Sequence, residues 1–466
     1  MPEDVITLSP GDTSWLLVSS ALVLLMTPGL AFFYGGLNRS KSVLNMMMMS
    51  FSSIGLISIL WLFYGFTVAF GEDVPLSGAG TDDVVHGFYG NLTQFLGTQD
   101  LTGSYGFPPF PATPIPTYVI MAFQMMFAII TVALISGAIS DRAKFAGWLV
   151  FAAGWFTLAY LPIAHMVWGG GYIGMTLGAL DFAGGTAVHI NAGAAALALA
   201  IVLGRRAGWP RESFKPHNVP FVALGAGLLW FGWFGFNAGS ELTADGITAL
   251  AFINTQVATA AALLGWVLVE WIRNGKPTLV GASSGAVAGL VAITPACAYI
   301  LPAPAALLGV IAGAVCAIAV GLKYKLRVDD SLDVFGIHFV GGWIGCLFIG
   351  FFATTAADSV GSTAADAEPF SYVVREGLFY GGGADQLIAQ AQGAGIVSVW
   401  SFTVALVIGL ILKAVGLFKV KEEHQLEGID VHQHKESAYD TTFGGSYGEG
   451  GPGAHAADKT ATPVGV

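Results

Sequence analysis

The sequence predicts an all-α polytopic membrane protein, with eleven transmembrane helices arranged as a 5+5 inverted repeat plus a final helix, N-terminus outside and C-terminus inside. Three observations predict this class. Of the 466 residues, 55% are hydrophobic and only 11% charged, with mean hydropathy +0.69, whereas a soluble domain carries about 25% charge. Apolar stretches of membrane-crossing length recur eleven times along the chain, and basic residues fall in every second loop between them. Together these exclude a soluble globular enzyme.

The apolar stretches lie at about 14–36, 46–70, 116–139, 146–168, 182–204, 218–239, 249–272, 279–296, 303–322, 334–355 and 393–418. Each approaches the roughly twenty residues that cross a bilayer core at about 1.5 Å per residue. The first is read as a retained span, not a secretion signal. Its leading residues Glu3, Asp4 and Asp12 include no base among them, and Thr27-Pro28-Gly29 interrupts the apolar run. In the second, Met46–Met49 has no cysteine or histidine beside it and reads as packing, not as a copper site.

Loop charge sets the orientation. Arg39 and Lys41 follow span one, Arg142 and Lys144 span three, Arg205, Arg206, Arg211 and Lys215 span five, Arg273 and Lys276 span seven, and Lys323, Lys325 and Arg327 span nine. The intervening loop 71–115 holds Glu72, Asp73, Asp82, Asp83 and Asp100 without a base, and the loop after span ten holds only Arg375. Counting the tail, 18 of the 19 basic residues fall on one side, which the positive-inside rule makes cytoplasmic. The net charge of −11 resides mostly in loops and tail and carries no nucleic-acid signal. Cys297, Cys316 and Cys346 lie in apolar stretches without CxxC spacing and read as small buried hydrophobes. The 63 glycines, many spaced as small-xxx-small, read as close helix packing.

One spacing occurs in both halves: Asp181 precedes His189, and Asp330 precedes His338, by eight residues. A repeat of five spans, being odd in number, inserts its second copy upside down. Asp181 then lies at the outer end of span five and Asp330 at the inner end of span ten. Eight helical residues cover about 12 Å, so both histidines reach toward the middle of a core about 30 Å thick. An ionisable residue at that depth is a functional candidate by default. Asp181 is expected to cap the Gly184 and Gly185 amides, a structural and electrostatic role. Asp330 and Asp333 either do the same at the inner end or neutralise Lys323, Lys325 and Arg327. His165, near the outer end of span four, reads as a packing or hydrogen-bonding residue.

The stretches Leu25–Gly36, Ala164–Gly171, Asp181–Gly193, Trp233–Ser240 and Asp333–His338 strongly resemble the ammonium transporter/methylammonium permease/Rhesus family, its Amt branch most closely. The resemblance spans residues 13 to about 440. It implies a homotrimer with a pore through each subunit, which recruits ammonium at an outer vestibule and passes it along a hydrophobic channel lined by two histidines. Trp168, Phe127 and Ser240 match the recruitment site, with Trp233 packed nearby; Phe127 and Phe236 match a stacked gate; His189 and His338 match the pore histidines. Aromatic faces attract a small cation, and a serine hydroxyl accepts an ammonium hydrogen. Without the resemblance, the phenylalanines would read as core. Gln124-Met125-Met126 stands where other members carry Gly-Thr, so the vestibule is expected to differ in shape.

The domain reading is a short extracytoplasmic N-terminus over 1–12, the helical domain over 13–418, a cytoplasmic regulatory tail over 419–440, which bends at Gly428, and a disordered C-terminus over 441–466. In the tail, His432 and His434 are a weak metal signal. No cofactor, metal site or enzymatic activity is expected, and the cell membrane is the expected location. The resemblance also implies methylammonium as a further substrate and a PII-type signalling protein at the cytoplasmic face. Two other readings stand beside transport. An ammonium sensor would use the same site, and a haem-binding electron carrier would use membrane histidines as axial ligands.

Overall fold

The computed structural model describes residues 8–439 apart from 82, 100, 103, 105, 107–113, 213 and 359–373. The C-terminal stretch expected to be disordered, 441–466, lies outside the described residues. Among the described residues the fold is all-helical, with three isolated β-bridges and no strand. Ten helices are long and apolar enough to cross a membrane: α1 Pro10–Leu37, α2 Val43–Phe70, α3 Thr117–Ile139, α4 Phe145–Thr176, α5 Gly185–Leu203, α6 Val219–Glu241, α7 Gly246–Asn274, α9 Pro302–Leu326, α10 Phe335–Phe352 and α11 Asp385–Ala414. Between α7 and α9 runs a shorter apolar helix, α8 Leu279–Ile293, of 15 residues. At about 22 Å it falls short of a bilayer core.

Several boundaries differ from the sequence reading, α4 for one running past 168 to Thr176, and two of the differences have a physical reason in the contacts. The last helix starts at Asp385, not near 393, because its polar first turns are buried and satisfied. Gln390 Oε1 accepts from Leu180 N at 2.5 Å while its Nε2 donates to Leu180 O at 2.7 Å. At its far end, α9 runs on through Lys323 and Lys325 to Leu326, where Tyr324 stacks on Trp209 at 5.8 Å.

Small residues set how closely the rods approach. Ser9 caps α1 through Asp12 N at 3.3 Å and Pro10 occupies its first turn. The same helix then packs along α6, where a Cβ on Gly235 would stand 2.7 Å from Leu22 Cβ. Only glycine allows that approach. Most apolar bulk lies within the bundle, with Trp61, Trp148, Trp155 and Trp233 buried. Leu264, Ile272 and Val399 are 65%, 76% and 68% exposed, as helices bathed by an apolar solvent permit.

The helices that carry the two histidines are built alike. α5 opens with a π-turn, Gly185–Ile190, and α10 with another, Phe335–Phe339; each continues as a 13-residue α-helix. They cross closely, since a Cβ on Gly193 would meet Phe339 Cβ at 2.7 Å and one on Gly342 would meet Ile190 Cγ1 at 2.9 Å. Each glycine thus faces the other helix's π-turn.

At the basic end of the bundle, charges are buried in pairs. Arg206 donates from Nε and Nη2 to Asp329 at 2.9 and 2.8 Å, Arg142 Nη1 lies 2.8 Å from Asp329 Oδ2, and Arg39 Nε lies 2.9 Å from Asp141. The tail docks on this end as two short helices, α12 Glu422–Glu427 and α13 Ile429–His434. Gly428 joins them at φ 129°, a backbone region that favours glycine. Asp430 then accepts from Leu44 N and Asn45 N at 3.0 and 2.8 Å, capping α2, whose own Ser42 side chain makes no cap.

Candidate functional site

A line of aromatic rings enters the bundle beside Trp168 of α4. Phe123 and Phe127 of α3 lie 4.9 Å apart, and Phe127 and Trp168 meet edge to face at 5.9 Å and 87°. The Trp168 indole is held by its own hydrogen bond, Nε1 to Asp181 O at 2.8 Å. Ser240 follows Phe236 by one helical turn and donates to its carbonyl at 2.8 Å. That leaves the hydroxyl oxygen free to accept. Phe127 and Phe236 stack at 4.2 Å and 27°.

Behind the stack are the histidines. His189 lies 6.1 Å from Phe236 and 5.4 Å from Trp233, nearly parallel to both. His189 and His338 stand 5.4 Å apart at 23°, their Nδ1 atoms 3.3 Å apart, so that one ring donates to the other. Trp233, expected beside the recruiting aromatics, is seated at this level, its Nε1 fixed to Thr294 Oγ1 at 2.8 Å. The sequence reading missed this because Trp233 and Phe236 are neighbours on α6, and only the packing shows that both stack on His189.

The histidines share a narrow cavity with Phe236 and Trp233, and with Met26, Leu30, Phe33 and Ile130 on its apolar wall. His189 Nε2 is buried and has no hydrogen-bond partner among the described residues. Such an atom costs about 1–3 kcal/mol unless something supplies the missing bond. A small hydrogen-bonding solute in the cavity would supply it.

Both π-turns are fixed by the aspartates that begin the repeated spacing. Asp181 accepts from the amides of Gly184, Gly185, Thr186 and Ala187 at 2.6–3.0 Å and from the Thr186 hydroxyl at 2.5 Å. Asp330 accepts from Val334 N and Phe335 N at 3.1 and 2.8 Å, while Asp333 pairs with Lys323 at 2.6 Å. The two inner carboxylates therefore divide the roles that the sequence left open. Burial, and next the neighbouring Asp333, push the Asp330 carboxyl up to about 6. Asp181 has its oxygens turned to its own helix start and none toward the cavity.

Apolar spans, a line of stacked rings and two enclosed histidines define a multi-pass membrane protein with a buried, mostly apolar cavity inside the bundle. The chain belongs to the ammonium transporter family, whose model matches residues 14–439. It is 52% identical to an ammonium transporter of Mycobacterium tuberculosis, over 92% of this chain and 90% of that protein. Among solved structures it is similar to Mep2 of Candida albicans, with a TM-score of 0.79, 33% identity, and 90% and 88% of the two chains covered. It is also similar to a sensor Amt protein, with a TM-score of 0.78, 28% identity, and 91% and 98% covered.

Proposed function

We propose that this chain conducts ammonium or ammonia across the cell membrane, recruiting the cation at Trp168, Phe127 and Ser240 and passing it between Phe127 and Phe236 to the His189–His338 pair. The observation that carries the reading is the buried, unpartnered His189 Nε2 facing the apolar cavity behind the aromatic stack. Moving a whole ammonium ion into such a place costs on the order of 20 kcal/mol by Born solvation in a low-dielectric medium. Neutral ammonia costs far less and hydrogen-bonds as donor and acceptor. The ion is therefore deprotonated near the stack, and the paired imidazoles, each with one donor and one acceptor, hold ammonia in transit and relay the proton.

The same reading takes α8 as an eleventh span, extended by the turn that follows it, and orients the basic end toward the cytoplasm. Spans one to five and six to ten form the inverted pair, and α5 and α10 with their capped π-turns correspond. The exposed apolar faces suit lipid and the contacts of a homotrimer. Methylammonium is a further substrate, and a PII-type protein would meet the face that carries the tail. The haem reading is disfavoured, since two Nδ1 atoms 3.3 Å apart leave no room for an iron between them.

The likeness to a sensor Amt protein favours one second reading, in which the site binds ammonium for signalling. Uptake into vesicles containing only this purified chain separates the two. Ammonium flux that exceeds that of empty vesicles, with sodium and potassium excluded, is expected. Saturable ammonium binding without flux would favour the sensor.

A further inference from the structure

Asp73, His86 and His165 form a cluster that the proposed mechanism does not use. His165 is wholly buried in α4, one turn before Trp168. Its Nδ1 lies 3.0 Å from Ala69 O and its Nε2 2.9 Å from Asp73 Oδ1. Both neighbours are acceptors, so the ring satisfies them only by carrying hydrogen on both nitrogens. Asp73 Oδ2 also meets His86 Nδ1 at 3.0 Å, and Gly87 N donates to the same carboxylate at 2.9 Å. Burial pushes the Asp73 carboxyl up, but these donors outweigh it and hold the group below its ordinary value.

The cluster closes on the turn that follows Trp168. Gly169 N and Gly171 N both donate to the His165 carbonyl, at 2.9 and 3.1 Å. A Cβ on Gly169 would stand 2.6 Å from His165 Nδ1, and one on Gly171 2.8 Å from its Cδ2. The segment after α2 joins from the other side, since Tyr172 N donates to Gly87 O at 2.9 Å and His86 N to Thr176 Oγ1 at 3.0 Å. One imidazole therefore ties the end of α2, the acidic loop and the α4 segment just after Trp168 together.

We propose that Asp73 and His165 are positioning residues for the outer cation site, clamping the loop after α2 onto the turn that holds Trp168 against Phe127. The inference rests on the reading of Trp168 as a recruiting residue. Releasing the clamp frees the indole to turn from the incoming ion, which weakens recruitment without obstructing the passage behind it.

The test is ammonium uptake into vesicles, comparing half-saturation with maximal flux at equal membrane abundance. Asp73→Ala is expected to raise half-saturation about three- to tenfold, the range of one weakened cation–π contact, with maximal flux within about twofold of the parent. Asp73→Asn is expected to restore most of the loss, because its oxygen, placed as Oδ1 is, still accepts from His165 Nε2 and Gly87 N while its amide nitrogen donates to His86 Nδ1. Should Asp73→Ala fail to reach the membrane, His165→Gln, which keeps one of the two ring contacts, is expected to shift half-saturation in the same direction. Parent half-saturation in these variants, a fall in maximal flux alone, or an Asn variant as impaired as Ala would overturn the clamp. Trp168→Leu run in parallel separates the layers. If it shifts half-saturation and the Asp73 variants do not, only the clamp fails, whereas no shift in Trp168→Leu removes the outer-site reading and the clamp with it.

Discussion

Asp329 sits between two arginine side chains at the basic end, bidentate to Arg206 and 2.8 Å from Arg142 Nη1, with all three residues buried. Burial alone would raise its carboxyl, yet Arg206 and Arg142 hold it below the ordinary value. Its stabilising contribution is therefore present above the ordinary carboxylate range and lost as pH falls through the lowered value. Asp329→Asn leaves two buried guanidinium charges short of a counter-ion, a class of change that costs about 3–5 kcal/mol. Thermal unfolding in detergent should show a clear loss for that variant, and parent stability would mean that Asp141 suffices. None of this was legible in the sequence, which read Arg142 and Arg206 only as topology markers and assigned roles to Asp330 and Asp333. Pairing across 123 positions leaves no periodic trace. The histidines were legible because an ionisable residue in an apolar run is rare, and because the eight-residue spacing to an aspartate occurs twice. Phe127 and Phe236 could be singled out only by resemblance, since stacked phenylalanines in apolar helices are ordinarily core.

Among the elements, the capped π-turns and the docked tail connect local chemistry to long range. The sequence placed Asp181 at the Gly184 and Gly185 amides, and the structure adds Thr186 and Ala187 to the same carboxylate. It gave no sign of the π-turns, because the apolar periodicity of one turn is too short to distinguish five residues from four. The tail's bend at Gly428 was implied by the family resemblance, but its use of Asp430 to cap α2 was not, because the two lie 386 residues apart at Leu44. A lost cap costs about 1 kcal/mol. Truncation before Lys421 removes that cap together with the Gln425 contacts to Arg39 and Ala207, so transport per membrane-inserted protein should fall. Truncation after Asp440 keeps every one of these contacts and should leave transport near the parent level. Equal activity of the two truncations would limit the tail to partner binding.

Tail docking should also depend on pH. Burial, opposed by Asp430 and Glu436, holds docked His434 below its ordinary value of 6.5. The docked tail thus prefers the neutral ring, and this contribution is present above about pH 6.5 and lost as pH falls toward the lowered value. Burial raises Asp430 against the hydrogen bonds from Asn45 and Leu44, so its protonation favours docking, but in the carboxylate range below. Limited proteolysis within 421–439 should quicken as pH drops through the histidine range in the parent, and this step should be absent in His434→Gln. A pH-independent cleavage rate in the parent would show that His434 does not govern release.

For the whole molecule, composition and loop charge were enough to place the chain in a membrane, and ten of the expected spans meet that length and hydropathy among the described residues. The eighth is shorter than its apolar stretch because the chain leaves the helix after Ile293 and turns back through Thr294 and Cys297, both buried. Hydropathy averages over such turns. Packing then decides what hydropathy cannot, setting α5 against α10 through Gly193 and Gly342 and so bringing two histidines 149 positions apart into contact. Under the proposed function, this contact forms the polar step of an otherwise apolar ammonium passage. Ammonium flux and current into vesicles, compared for the parent, His189→Leu and His338→Leu at equal protein content, test it most directly. Each leucine variant is expected to lose conduction or to change the species carried, with the bundle still assembled. Parent-like, ammonium-selective flux in both variants would contradict the claim and leave the histidines as packing residues.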